Sequence, residues 1–400
     1  MTQFDARIRE IVAYAYAHAP AIRTLMDQAG VSPDAIQGTA DLARIPVLRK
    51  DELVEIHQQN PPFGGFLTVD PSTLPRIYIS PGPIYDPQPP LDDPKAALAP
   101  FESVGFTHGD RVLNTFMYHL TPAGLLLDEG LRACGATVVP SGPGNTDLQI
   151  MMINALQING FVGQPSYLMT ILDKMESLGL PADKNPLKKA LFSAEPYTPS
   201  QRQRFEDTYG MQTTSAYGTA DLGFLGYTVA HVPGFKLLDT FYMQIVDPTT
   251  GEDVEPGATG EIVVTTFNKA YPLLRFGTGD LGALSPQLLE GRQHLLGLFG
   301  RSGEAIKVRG MFLHPNQLKM AAMQFPQIKR LQAVITRLEN SDVVTLKLEL
   351  MDGSHDETLA EKLKMLAQSA VRLRIDHIEF QAVGTLGENE RSIVDARDWK

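Results

Sequence analysis

Between Arg111 and Gly218, short apolar runs alternate with stretches of helical spacing. "RVLNTF", "ATVVP", "GFVGQPS", "KALFSAEP" and "QTTSAYG" are separated by segments such as "TDLQIMMINALQ" and "SYLMTILDKMESLG". Strands that recur only after a helix-length connection predict an α/β layer architecture with a largely parallel sheet. From Phe241 the character changes. "FYMQIVDPTTGEDVEPGATGEIVVTTF" reads as two strands joined by an acidic Gly/Pro turn, an antiparallel and β-barrel-like unit, and "HLLGLFG" adds a further strand. After "GRSGE" the pattern is strand, helix, long hairpin ("LQAVITRLENSDVVTLKLELMD"), helix ("DETLAEKLKMLAQSAVRLR") and strand ("HIEFQAV"). The expectation is a large α/β N-terminal domain over 1–301 and a small mobile α+β C-terminal domain over 302–400. Phe4, Ile8, Ile11, Val12 and Ala15 recur at helical spacing and predict an amphipathic opening helix over 3–18.

Composition excludes several classes of function. A chain of 400 residues that is 43% hydrophobic and 20% charged is ordinary globular material with room for two or three domains. Its net charge of −11 argues against a general nucleic-acid partner, because phosphate binding needs Lys and Arg to dominate a face. Cys134 is the only cysteine, so an intrachain disulfide and a multi-cysteine zinc site are excluded. It reads as a buried structural residue, with a covalent relay as the other role open to it. No apolar h-region opens the chain and no run of about 18 apolar residues occurs. The reading is a cytoplasmic protein with no membrane partner; the oligomeric state stays open.

The least regular stretch is "SPGPIYDPQPPLDDP". From Pro81 to Pro94, six of fourteen residues are proline, which excludes regular helix or a central strand and predicts a loop or extended crossing.

Four motifs in order carry a family resemblance: "FSAEPYT", "SAYGTADLG", "EIVVTTFNKAYPLLRFGTGDL" and "LFGRSGEAIKVRGMFLHPNQL". Together with "IVAYAYAHAPAIRTLMDQAGVSP" and "DLARIPVLRKDEL" near the start, they resemble the adenylate-forming enzymes, in particular the phenylacetate-CoA ligase-like subgroup. Such enzymes activate a carboxylic acid as an acyl-adenylate and pass the acyl group to a thiol, usually that of CoA. The resemblance implies that Tyr217 and Gly218 lie beside the adenylate. It puts Asp221, where the family usually has Glu, near magnesium. Asp280 matches the carboxylate that accepts both ribose hydroxyls, and Arg275 and Arg301 match arginines near the nucleotide. For Asp280 and Arg275 the plain alternative is a surface ion pair on a β turn. Glu195 is either a nucleotide-side residue or a helix or loop cap. Tyr118, Phe192 and Tyr217 suit ring stacking in an acyl pocket. His119 falls at the floor of that pocket, as a general base for the thiol or as a packed residue. Gly310, in an intact "AIKVRG", matches the position that lets the pantetheine thiol approach. Lys307 and Arg309 flank it, able to meet CoA phosphates or to form a solvated face.

Three departures accompany these matches. The family's Ser/Thr/Gly-rich phosphate loop is replaced by "SPGPIYDP", whose prolines supply no N–H. The hinge motif reads "GRSGE", with Gly303 where an Asp is usual. Glu388, Asn389 and Glu390 occupy the candidate positions of the C-terminal Lys, and a carboxylate cannot stabilise an anionic transition state as an ammonium does. Lys400 is poorly placed to substitute. All three losses concern ATP chemistry or domain rotation. The leading expectation is therefore an ATP-independent acyltransferase that moves an aryl or other acyl group between CoA and the phosphopantetheine of an acyl carrier protein. Its alternatives are an ATP-dependent aryl-CoA ligase, with magnesium at Asp221, and a non-catalytic acyl-CoA binder. A carrier protein would need a local basic patch, for which "LRKDEL" and "NPLKK" are candidates.

Overall fold

The structure is a computed structural model. It describes all residues except 1–3, 81–83, 89–97, 231, 303–305, 310, 314–317, 319–320, 323, 372, 388–390 and 399–400. The chain divides into two compact units. One comprises Met1–Gly163, Pro186–Ser193 and Gly210–Ser302; the other comprises Gln164–Asn185, Ala194–Tyr209 and Gly303–Lys400. The helix Pro165–Ser177 and the segment 194–209, which the sequence places within the first 301 residues, thus group with the second unit.

In the first unit the alternating runs become five parallel strands. Their spatial order is Thr137–Pro140, Arg111–Asn114, Gly160–Gly163, Lys189–Phe192 and Gln212–Thr219. From Arg111–Asn114 the chain moves to one side first and then to the other. Such a reversal is where open α/β sheets form a crevice at the carboxyl ends of their strands. Gln212–Thr219 then changes the sheet's character. It pairs parallel with Lys189–Phe192 through Gln212–Ser215 and antiparallel with Gly223–Val229 through Ala216–Thr219. The antiparallel half continues through Val232–Leu237, His294–Arg301, Phe276–Leu284, Gly260–Thr266 and Phe241–Val246. Among the described residues, both halves belong to one twelve-stranded sheet.

The opening helix is Asp5–His18. Its Ile8, Ile11, Val12 and Ala15 are buried with Leu273, Leu274 and Phe276, each large apolar side chain contributing about 1.5–3 kcal/mol of transfer free energy. Of the proline-rich stretch, expected as a loop or crossing, Ile84–Gln88 is a strand, while 81–83 and 89–94 lie outside the described residues. Arg76–Ser80 and Ile84–Gln88 pair antiparallel in a two-stranded sheet of their own. Pro87 sits opposite Ile77 within it; proline is tolerated because an isolated ribbon has no third strand to demand the missing N–H.

In the second unit the long hairpin pairs Ile328–Leu338 with Ser341–Leu350. His377–Phe380 adds in parallel on one side and Ile393–Asp395 on the other, and Glu357–Val371 is the accompanying helix. Ile393–Asp395 has no counterpart in the sequence reading, since three residues carry no usable period. Among the described residues, no helix is long and apolar enough to cross a membrane.

Candidate functional site

The "SAYGTAD" motif lies where the sheet changes from parallel to antiparallel, and its geometry follows from that place. The register shifts between Tyr217 and Gly218, a bulge that re-aims side chains at a strand end. A Cβ on Gly218 would lie 2.5 Å from the Gly223 carbonyl oxygen, so the return of the chain requires glycine there. The Tyr217 hydroxyl donates to Asp280 Oδ2 at 2.9 Å. Asp280 Oδ1 is 3.6 Å from Arg301 Nη1, the two residues being directly opposed on neighbouring strands. Burial, followed by the Asp280 charge, pushes the Tyr217 phenol well above its ordinary value, so it remains a hydrogen-bond donor. Asp280 and Arg301 are only partly enclosed, at 18% and 20% side-chain exposure, and keep capacity for a polar ligand. The structure thus brings Tyr217, Asp280 and Arg301 together.

Asp221 belongs to a second cluster that the sequence reading did not assemble. Its Oδ2 accepts from Lys50 Nζ at 2.6 Å, across 171 positions of sequence. Lys50 is the first residue of the helix Lys50–Gln59, a place where the helix dipole disfavours a cation and a carboxylate partner offsets it. The proline hairpin brings Asp86 to the same point, and Ser80 donates to its Oδ2. Burial, then the neighbouring Asp221 charge, push the Asp86 carboxyl well above the usual carboxylate range, against the pull of Lys50 and Ser80. His57, from the same helix as Lys50, is buried with its Nε2 3.2 Å from the Tyr271 hydroxyl. Burial, and behind it the charges of Asp86 and Asp221, raise the Tyr271 phenol.

The resemblance implies magnesium at Asp221, and the residues present do not fit it. One carboxylate oxygen is in contact with an ammonium, and the side chain is only 2% exposed. A cation that keeps several waters and binds at about 2.0–2.1 Å would have to take the place of Lys50.

Other expected site residues are placed differently. Arg275 is turned inward, 1% exposed. Its guanidinium donates to the carbonyls of Ala43 (3.2 Å), Ile45 (2.6 Å) and Gly251 (2.6 Å). It is a backbone clasp, which corrects both the nucleotide contact and the surface ion pair. Glu195 lies in the second unit and accepts the Ser166 N–H at 2.6 Å, in the first turn of the helix Pro165–Ser177. The cap reading therefore holds, and burial, offset by Ser166 and Arg337, raises its carboxyl. Arg309 is bound within the second unit to the Asp342 carbonyl at 2.9 Å, the Arg374 carbonyl at 3.0 Å and the Asp376 carboxylate, which corrects its assignment to CoA phosphates. Phe192 is fully buried beside Phe161 at 6.2 Å between ring centroids, a core position. The Tyr118 hydroxyl accepts from Asn114 Nδ2 at 2.8 Å and donates to Asp128 at 3.0 Å, while His119 beside it is exposed. Cys134, half-buried instead of buried, has its thiol pushed up by burial and by Glu102, the opposite of an activated thiolate. Gly303, Gly310, Glu388, Asn389, Glu390, Lys400 and the Lys307 side chain lie outside the described residues.

Three of the four cations in the two candidate basic patches are paired internally. Arg49 pairs with Glu261 at 2.7 Å, Lys50 with Asp221, and Lys189 with Asp110 at 2.8 Å. Lys50 and Asp86 were missed because neither carries a local signal. Lys50 stands in a stretch quoted for the family resemblance and as a candidate basic patch, Asp86 in a proline run, and neither spacing says that the two meet in space.

Known proteins bear on this geometry. The model of the AMP-binding enzyme family matches residues 104–269. The phenylacetate-coenzyme A ligase of Thermus thermophilus is 31% identical over 365 residues, covering 87% of this chain and 81% of the relative. That of Aromatoleum evansii is 30% identical over 375 residues, covering 90% and 84%. A 2-hydroxyisobutyryl-CoA ligase, solved with 2-HIB-AMP and CoA, superposes with a TM-score of 0.89 over 98% of this chain and 89% of the other. At 24% identity that is a likeness of fold. Two relatives at 30–31% identity, each matched over most of both chains, show the family, and the chain belongs to the phenylacetate-coenzyme A ligase family of adenylate-forming enzymes.

Proposed function

We propose that the protein is an AMP-forming ligase that joins a carboxylic acid, aryl by analogy with its relatives, to CoA. The observation that carries this reading is the Tyr217–Asp280–Arg301 arrangement, a carboxylate held by a phenol and a guanidinium beside a strand end. Asp280 would accept the ribose hydroxyls of ATP, and Arg301 would face the phosphate as charge moves onto it. In the first step the acid's carboxylate attacks the α-phosphorus and pyrophosphate leaves. In the second the CoA thiol adds to the acyl carbon, loses its proton and expels AMP. ATP and CoA are thus co-substrates. ATP-independent transfer to a carrier protein, the leading expectation from the sequence, gains nothing from relatives named as ligases. What favours it are the three departures in sequence, at the phosphate loop, the hinge and the C-terminal Lys, of which the described residues show the first, where Ser80 and Asp86 bond to each other.

The test is to incubate the protein with ATP, CoA and a panel of arylacetic, benzoic and short hydroxy acids, and to follow AMP and thioester by chromatography. AMP formed in step with thioester supports the ligase. Thioester exchange from an acyl-CoA to pantetheine without ATP, and with no AMP from any acid, would replace it with the transferase reading.

A further inference from the structure

We propose that Lys50 is the resident cation of Asp221, and that this chain has withdrawn Asp221 from metal binding. The inference goes beyond the ligase reading and stands apart from it, since it concerns the free protein.

Three independent observations converge. First, the Lys50 ammonium touches Asp221 Oδ2 at 2.6 Å, with side chains only 17% and 2% exposed. An enclosed ion pair of this kind is screened little by water and is expensive to separate, because either partner alone would be a buried uncompensated charge. Second, the lysine opens the helix Lys50–Gln59, where the dipole opposes it; the arrangement is stable only because a carboxylate lies in front of it. Third, the stretch that stands in place of a phosphate loop is a hairpin that delivers Asp86 to the same point. The groups facing the pair are Asp86, with Ser80 donating to it, and the nearby His57 and Tyr271. Among the described residues, Asp221 Oδ1 is buried and meets no N–H or hydroxyl; the Asp86 carboxyl lies within hydrogen-bond reach of the Asp221 side chain. The loss of the phosphate loop and the loss of a metal position at Asp221 are then one change. A divalent ion escorting ATP would be held by the nucleotide and not by this carboxylate.

The experiment is a manganese titration of the purified full-length protein without nucleotide, followed by electron paramagnetic resonance of free Mn²⁺. The wild type, Lys50→Met, Asp221→Asn and the double variant are compared. Wild type and Asp221→Asn should leave equal free Mn²⁺. Lys50→Met should gain one site at least tenfold tighter than any in the wild type, and the double variant should lack it. A stoichiometric wild-type site lost in Asp221→Asn would overturn the proposal, as would a folded Lys50→Met that gains none. Should Lys50→Met fail to fold, lysine acetylation read by mass spectrometry decides the matter on the wild type. Lys50 should stay unreactive with or without millimolar Mg²⁺, whereas reactivity that rises with Mg²⁺ would show the ammonium displaced and sink the idea.

Discussion

Ala194 adopts φ +80°, a left-handed backbone that a residue with a Cβ enters at a cost of about 1–2 kcal/mol. It immediately precedes Glu195, whose carboxylate must reach the Ser166 N–H. Replacing Ala194 with Gly relieves the strain while adding freedom to the unfolded chain, for an expected net gain of about 0.5–1 kcal/mol in urea unfolding. A loss would mean that the strain is relieved elsewhere. Arg275, also at positive φ (+46°), poses a different question. Arg275→Lys keeps the charge but loses the fork that spans three carbonyls. It should destabilise the protein by about 2–3 kcal/mol and leave the KM for ATP unchanged. A raised KM with unchanged stability would restore the nucleotide role. The motif around Arg275 was legible, but motif position does not say which way a side chain points.

Elements place groups that no local pattern announces. The pairing of Ile84–Gln88 with Arg76–Ser80 shows that a strand can carry a proline, Pro87, when it has only one neighbour, and the inward turn of Asp86 follows from that pairing. In the second unit, Glu349 on the strand Ser341–Leu350 is fully buried. The backbone N–H of Gly384, the Lys329 ammonium at 2.9 Å and the Leu386 N–H at 3.3 Å receive it. Led by the Gly384 N–H, these donors hold its carboxyl down to about 2, below the ordinary 4.5. A depressed pKa contributes stability that is complete above the unfolded value and is lost as pH falls through the folded one. Glu349→Gln should therefore lower the thermal midpoint at neutral pH and flatten its decline between about pH 4.5 and 2. Parallel acid profiles for the two proteins would refute this account.

At the scale of the whole molecule, the site depends on segments that only the completed sheet unites. Asp280→Asn keeps the shape but removes the charge that Tyr217 and Arg301 hold. It should lower kcat/KM for ATP on the order of 10–100-fold with an unchanged circular dichroism spectrum. An unaltered kcat/KM would remove Asp280 from the nucleotide site. Cys134→Ser should leave turnover within about twofold, since a thiol raised by burial is no nucleophile. The alternation of apolar runs and helical stretches by itself determined the parallel sheet, the antiparallel continuation and the small α+β part, because periodicity is a local property that the chain writes residue by residue. The order of motifs likewise determined the family. The tertiary structure alone decided which charges meet: Lys50 with Asp221, Asp86 beside them, Arg275 with backbone carbonyls, and Arg309 with Asp376. Electrostatic pairing depends on distance in space and on exclusion of water, and neither is recorded in the spacing of residues along the chain.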